Sequence, residues 1–242
     1  MKAIETKDLT KRYGNLTALD GLSLTVEHGE MLALLGVNGA GKTTAIKLLS
    51  CLSAPTEGEA WLCGHSILTE PQAVKRVIAV SPQETAVAKK LTVRENLQFL
   101  AEIHEANKKE APERVEKMIT RLGLGEVAAR RAGTLSGGWQ RRLSIAMALI
   151  SEPQVLFLDE PTLGLDVLAR HELWEQIRAL KGNTTVILTT HYLEEAEALC
   201  DRIAILAGGK LITTGTVSEI KALAGKETFE DAFVSLCGGG VL

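Results

Sequence analysis

Residues Gly36-Val37-Asn38-Gly39-Ala40-Gly41-Lys42-Thr43 constrain this chain more than any other feature. They lie between a continuous apolar run, Met31–Leu35, and a stretch, Thr43–Leu52, that reads as a helix. An apolar run of strand length with no polar alternation predicts a strand buried on both faces. A glycine-rich loop joining such a strand to a helix leaves bare backbone N–H groups at a helix N-terminus, where anions bind. The spacing matches Gly-x4-Gly-Lys-Ser/Thr. Loop amides can wrap a triphosphate, the Lys42 ammonium can reach its outer phosphates, and the Thr43 hydroxyl can bind Mg²⁺. A plain glycine turn is the competing reading, but the strand before the loop and the helix after it argue against that.

The second chemical element is Val155-Leu156-Phe157-Leu158-Asp159-Glu160. A buried strand ending in acids delivers carboxylates to the C-terminal edge of a sheet, where nucleotides bind in open α/β folds. Asp159 is placed to hold Mg²⁺, and Glu160 to polarise an attacking water. Alone the pattern is weak, because strand ends often carry acids; paired with the loop it is strong.

Strand and helix patterns alternate over much of the chain. Strands are expected at Glu59–Leu62, Val77–Val80, Thr185–Leu188 and Ile203–Leu206, and helices at Leu168–Leu180 and Tyr192–Leu199. Leu22, Leu24 and Val26 alternate as in one half-buried strand. This predicts an α/β fold with a parallel sheet covered on both faces. From Leu91 to Leu122 helical pattern takes over. Val115, Met118, Ile119 and Leu122 fall on one helix face, and Thr92 with Glu95 forms a capping-box pattern. An inserted helical subdomain is expected there. The tail, Val217–Phe233, reads as helical, and Gly238-Gly239-Gly240 should fray.

A net charge of -3 argues against a broad nucleic-acid surface. The pairs Lys11-Arg12, Lys108-Lys109, Arg130-Arg131 and Arg141-Arg142 read as solvated faces. Cys51, Cys63, Cys200 and Cys237 are scattered without a Cys-x-x-Cys pair, as expected of reduced thiols in a cytosolic protein. The first ten residues lack an apolar signal core, and no apolar run approaches the ~18 residues of a membrane span.

A second phosphate cradle lies far away in sequence. Leu135-Ser136-Gly137-Gly138-Trp139-Gln140 opens an apolar-rich helix. Ser136 suits its N-cap, and the glycines remove side chains from its first turn, as a phosphate site requires. Two cradles in one chain suggest two copies sharing each nucleotide. With the first loop and Asp159-Glu160, the run Leu135-Ser136-Gly137-Gly138 and Gln140 resembles the ATP-binding subunit of an ATP-binding-cassette (ABC) transporter. The likeness extends from about Ile4 to Gly215.

The resemblance implies a P-loop NTPase core with a parallel sheet, an N-terminal antiparallel β subdomain and an inserted α-helical subdomain. It implies an ATP-binding domain over 1–216, an insertion over about 88–150 and a helical tail over 217–242. Tyr13 resembles the aromatic that stacks on adenine. Gly36, Asn38, Gly39, Ala40, Gly41, Lys42, Thr43 and Thr44 would bind ATP. Gln83 resembles the glutamine that contacts Mg²⁺ and the attacking water, and His191 the histidine at the γ-phosphate. Thr43, Gln83 and Asp159 would serve the metal, and Glu160, His191 and Gln83 catalysis. Ser136, Gly137, Gly138, Gln140 and Asp166 would serve the ATP held by a partner subunit. In Leu163-Gly164-Leu165-Asp166, Leu163 replaces the family's usual serine.

The implied partners are a second copy or a paralogue, joined through the ATP sites, and an integral membrane transporter subunit coupled through residues 83–100; no nucleic acid is expected. The implied location is cytoplasmic, at the inner face of the cell membrane. The runs Thr189–Glu197 and Phe229–Phe233 resemble the export branch. The alternatives are a non-transport ABC ATPase on ribosomes or DNA, which usually carries two cassettes or a long coiled-coil insertion, and a nucleotide-binding scaffold, which often lacks the acid found here at Glu160.

Overall fold

The computed structural model describes residues 1–104 and 110–238. The pair Lys108-Lys109 and the end of the glycine run, Gly239-Gly240, lie outside the described residues.

The chain begins with β1 (Lys2–Tyr13), β2 (Leu16–Leu22) and β3 (Thr25–Glu27). Leu22 closes β2 and Val26 sits in β3, so the alternating run expected as one strand is split in two at Ser23-Leu24, which belong to neither. β4 (Met31–Leu35) and α1 (Lys42–Leu49) follow, then β5 (Glu57–Leu62), β6 (His65–Ser66), α2 (Pro71–Val77) and β7 (Ile78–Ser81). Helices α3 (Val93–His104), α4 (Ala111–Arg121) and α5 (Gly137–Leu149) come next. Thr92 and Glu95 form the expected capping box ahead of α3: the Glu95 carboxylate accepts from the Thr92 N–H at 2.7 Å and Thr92 Oγ1 from the Glu95 N–H at 3.1 Å. Then come β8 (Val155–Asp159), α6 (Val167–Arg178), β9 (Thr185–Thr190), α7 (Leu193–Leu199), β10 (Arg202–Ala207) and β11 (Lys210–Gly215). The tail forms two helices rather than one, α8 (Val217–Ala224) and α9 (Phe229–Gly238). Gly225, left-handed at φ +63°, ends the first.

Two sheets result. β2, β1, β5 and β6 run side by side, with β3 also on β1, every pairing antiparallel. The other sheet has the order β11-β10-β4-β9-β8-β7. Its pairings are parallel except at the edge, where β11 returns antiparallel to β10. This is a P-loop NTPase fold.

The period of two along each central strand divides the core. Met31, Ala33, Leu35, Leu156, Leu158, Val186 and Leu188 face one apolar cluster, shared with α3 to α7. Leu32, Leu34, Val155, Phe157 and Ile187 face a second, shared with α1 and the antiparallel sheet. With both faces covered, these strands carry unbroken apolar runs, closed by Asp159 in β8 and by Thr189-Thr190 in β9, which made them legible. The C-terminal ends of β4, β7, β8 and β9 meet at one edge, which carries the site.

Arg141-Arg142 is not a solvated face: both residues are buried, Arg141 against the sheet edge and Arg142 against Glu172 of α6 and the Trp139 ring. Among the described residues, no helix is long and apolar enough to cross a membrane.

Candidate functional site

The loop after β4 is a cradle because side chains are excluded from it. A Cβ on Gly36 would lie 2.4 Å from the Leu206 carbonyl oxygen and 2.8 Å from Ala40 Cβ. Gly41 combines φ +103° with a Cβ position 2.7 Å from the Ala18 carbonyl oxygen, so it admits no other residue. Lys42, buried at the start of α1, donates from Nζ to the Gly36 carbonyl at 2.6 Å and the Val37 carbonyl at 3.4 Å. Thr43 Oγ1 donates to Asp159 Oδ2 at 3.5 Å.

β8 brings in the acids, and β9 fixes them. Thr189 Oγ1 donates to Asp159 Oδ1 at 2.5 Å, which leaves Oδ2 toward Thr43. The Glu160 N–H donates to both the carbonyl and the hydroxyl oxygen of Thr189, each at 3.1 Å. Glu160 itself sits at φ +48°, a strained conformation for a residue with a side chain. This turn aims its carboxylate between two cations or proton carriers: Oε2 is 2.8 Å from His191 Nδ1 and Oε1 is 3.7 Å from Lys42 Nζ. Glu160 and Lys42 are both buried, so these contacts are poorly screened.

A cleft of about 570 Å³ opens above this edge. Tyr13, Asn38, Gly39, Ala40, Gly41, Lys42, Thr43, Thr44, Gln83, Glu160 and His191 all line it. Thr43, Asp159 and Gln83 offer a hydroxyl, a carboxylate and an amide oxygen, a donor set that suits a small hard cation such as Mg²⁺. The chain supplies few ligands, as expected where phosphates and water complete the shell.

Ser136, Gly137, Gly138, Gln140 and Asp166 do not line this cleft. Ser136 is the N-cap of α5, but its hydroxyl makes no cap hydrogen bond, contrary to the capping expected of it. The open first turn leaves that hydroxyl without the local acceptor role. A Cβ on Gly137 would meet nothing within 4 Å, whereas one on Gly138 would come within 3.2 Å of Ala169 Cβ. Only the first of the two glycines therefore faces open space; the second admits α6. Gln140 Nε2 donates to the Leu135 carbonyl at 3.0 Å, and Asp166 caps α6 by accepting from the Ala169 N–H at 2.9 Å. Leu163, Val167 and Leu168 beside Asp166 are exposed.

Sequence reasoning missed Thr189, Arg141 and Glu195. Arg141 Nε donates to the Pro161 carbonyl at 2.8 Å and Nη2 to the Asp159 carbonyl at 2.7 Å. Nη1 reaches the carbonyls of Pro82 and Gln83. One side chain of α5 thus ties the ends of β7 and β8 together. Burial pushes its pKa down to about 10, opposed by Asp159, Glu195 and Glu160. Glu195, fully buried on α7, accepts from Trp174 Nε1 at 3.2 Å, and burial raises its pKa. The available signals were polar residues closing the apolar run of β9 and, for Arg141, a charge at the head of the apolar-rich α5; Glu195 stands among other glutamates of α7 and carried none.

The family model described as ABC transporter matches residues 19–163, more than half of the chain. The chain is 42% identical over 229 residues to the daunorubicin resistance ATP-binding protein DrrA3 of Streptomyces coeruleorubidus, covering 94% of this chain and 72% of that protein. It is 40% identical over 213 residues to the Nod factor export ATP-binding protein I of Burkholderia lata, covering 88% and 70%. Among solved structures, the ATP-binding subunit of an ABC transporter superposes with a TM-score of 0.85 at 31% identity, covering 97% of this chain and 99% of that one. The dimeric post-hydrolysis state of the ATP-binding cassette MJ0796, bound to ADP and Pi, gives 0.78 at 25% identity over 88% and 98%.

Proposed function

We propose, for a chain that belongs to the ABC transporter family and serves it as an ATP-binding and ATP-hydrolysing motor subunit of export type, that the cleft at the sheet edge is the nucleotide site and Glu160 its general base. The observation that carries this is the position of one buried carboxylate, 2.8 Å from His191 Nδ1 and 3.7 Å from Lys42 Nζ, beside a glycine cradle. Tyr13 offers a ring for adenine, and residues 36–44 offer amides and hydroxyls for phosphates. Bound Mg²⁺ would offset phosphate charge and polarise the terminal phosphoryl group. Thr43, Asp159 and Gln83 would hold it. Glu160 accepts the proton of the attacking water, and His191 orients Glu160 through Nδ1. Lys42 stabilises charge on the outer phosphates.

Subunits of this family dimerise and work with transmembrane subunits. In our reading two copies, or this chain and a paralogue, meet head to tail. Ser136, Gly137, Gly138, Gln140 and Asp166 of one then complete the cleft of the other, closing with ATP and parting after hydrolysis. Support comes from the open face at Gly137, the uncapped Ser136 hydroxyl and the exposed Leu163, Val167 and Leu168. We assign 1–216 to the ATP-binding domain, with about 88–150 inserted, and 217–242 to the tail. The subunit would sit at the cytoplasmic face of the cell membrane, held there by its transmembrane partner, with no nucleic acid involved.

The test is Glu160→Gln, which keeps shape and removes the base. Hydrolysis should fall by about 10²–10³-fold while ATP binding persists and a dimer accumulates on sizing columns. Undiminished hydrolysis would refute the role.

A further inference from the structure

The histidine beside Glu160 is itself held by its neighbour. The His191 and Tyr192 rings lie with centroids 4.1 Å apart and planes inclined at 40°. The Arg170 guanidinium carbon stands 4.9 Å from the Tyr192 centroid. The Arg170 side chain is four-fifths buried, and its Nε has no hydrogen-bond partner. Its ion-pair contact with Glu194 is long, 3.9 Å, to a carboxylate that is 81% exposed. Such a pair contributes little. The aromatic ring is thus the partner that gives this buried guanidinium a reason to be where it is. Arg170 also belongs to the first turn of α6: its N–H donates to the Asp166 carbonyl at 3.0 Å, next to the loop at 161–166, where Leu163, Gly164 and Asp166 are exposed.

We propose that Tyr192, clamped by Arg170, is a positioning residue that holds the His191 ring with Nδ1 on Glu160 and so ties the hydrolytic pair to the loop at residues 161–166. This rests on the reading of His191 and Glu160 given above. The physical need is plain. The second torsion of a histidine is soft, and the His191 side chain is 36% exposed. Without a ring against it, the imidazole can turn Nδ1 away from Glu160. The Glu160 oxygen 2.8 Å from Nδ1 favours the tautomer with its proton on Nδ1, which leaves Nε2 as the acceptor.

The test compares Tyr192→Ala, Tyr192→Phe and Arg170→Met with the wild-type chain, alone and in a His191→Ala background. Tyr192→Ala and Arg170→Met should lower kcat about tenfold with KM for ATP within about twofold, as a misplaced group does. Tyr192→Phe, which keeps the ring, should restore kcat. In the His191→Ala background, Tyr192→Ala should cost little more, since both act through one ring. A second measurement is independent of residual activity: the ¹⁵N side-chain shifts of His191 should report a proton on Nδ1 in the wild type and in Tyr192→Phe, and averaged tautomers in Tyr192→Ala. A wild-type kcat or unaltered His191 shifts in Tyr192→Ala would overturn the positioning role alone, provided His191→Ala is impaired. A fully active His191→Ala would overturn the role of His191 itself.

Discussion

Arg141→Met removes one charge and keeps most of the aliphatic stem, so it isolates what the guanidinium does. That group donates to the carbonyls of Pro161, Asp159 and Pro82, with a longer bond to Gln83. Hydrogen bonds from a charged donor are worth about 1.5–3 kcal/mol each, so the short ones set a ceiling of several kcal/mol. Against this stands the desolvation that pushes the Arg141 pKa down to about 10. What remains is the cost of buried carbonyls left without a donor, about 1–3 kcal/mol each, so a net loss of several kcal/mol. For a chain of this length each kcal/mol moves Tm by about 2–4 °C, so the melt should shift on the order of 10 °C. Arg141→Lys should recover only a part, since a single ammonium cannot serve carbonyls on two loops. Urea unfolding of the nucleotide-free protein measures the loss directly. ATPase activity should fall in parallel, because the carbonyls released belong to the loops that carry Gln83 and Glu160. An Arg141→Met chain within about 1 kcal/mol of the wild type would refute the argument that this side chain holds the two strand ends together.

Two further outcomes follow from the site. Burial raises the Glu195 pKa, so its contribution to stability is fully present below the unfolded carboxylate value and is lost as pH rises through the folded one. Glu195→Gln, which keeps an acceptor for Trp174, should flatten that decline and raise Tm at neutral pH; urea midpoints measured from pH 4 to 8 check it, and a steeper decline would sink the reasoning. An equal mixture of Lys42→Ala and Ser136→Arg chains should hydrolyse ATP faster than either alone, because a mixed dimer keeps one intact pair of cradles; no gain in mixtures shown to dimerise would count against sharing between chains.

What was legible divides along physical lines. Strands buried on both faces announce themselves as unbroken apolar runs, so Met31–Leu35 and Val155–Leu158 were found with nearly correct ends. β1 and β2 mix polar and apolar residues, because the antiparallel sheet is covered on one face, so periodicity caught only Leu22 of them and the antiparallel subdomain was expected from the resemblance alone. Gly36 and Lys42-Thr43 were legible because the cradle admits no side chain and the charge must follow at fixed spacing. The conformation of Glu160 was not: φ +48° arises from β9, whose Thr189 grips the Glu160 N–H. Arg141 was misread because an adjacent pair of arginines on a helix is usually solvated, and only the meeting of β7 and β8 beneath it gives it carbonyls to bind.

Within the chain, the two glycines after Ser136 have different surroundings. Both were expected to clear space for an outside molecule. Gly138 also lies against Ala169 of its own chain: a Cβ there would come within 3.2 Å of Ala169 Cβ, so a large side chain would press α5 away from α6. Gly137 clears space for nothing within the chain. An arginine or leucine at 137 therefore costs the isolated subunit little, while at 138 it disturbs the packing that also seats Asp166 and Arg170. The same family of substitutions thus separates the two halves of the proposed function: 137 reports on what approaches from outside, 138 on how the receiving helix is held.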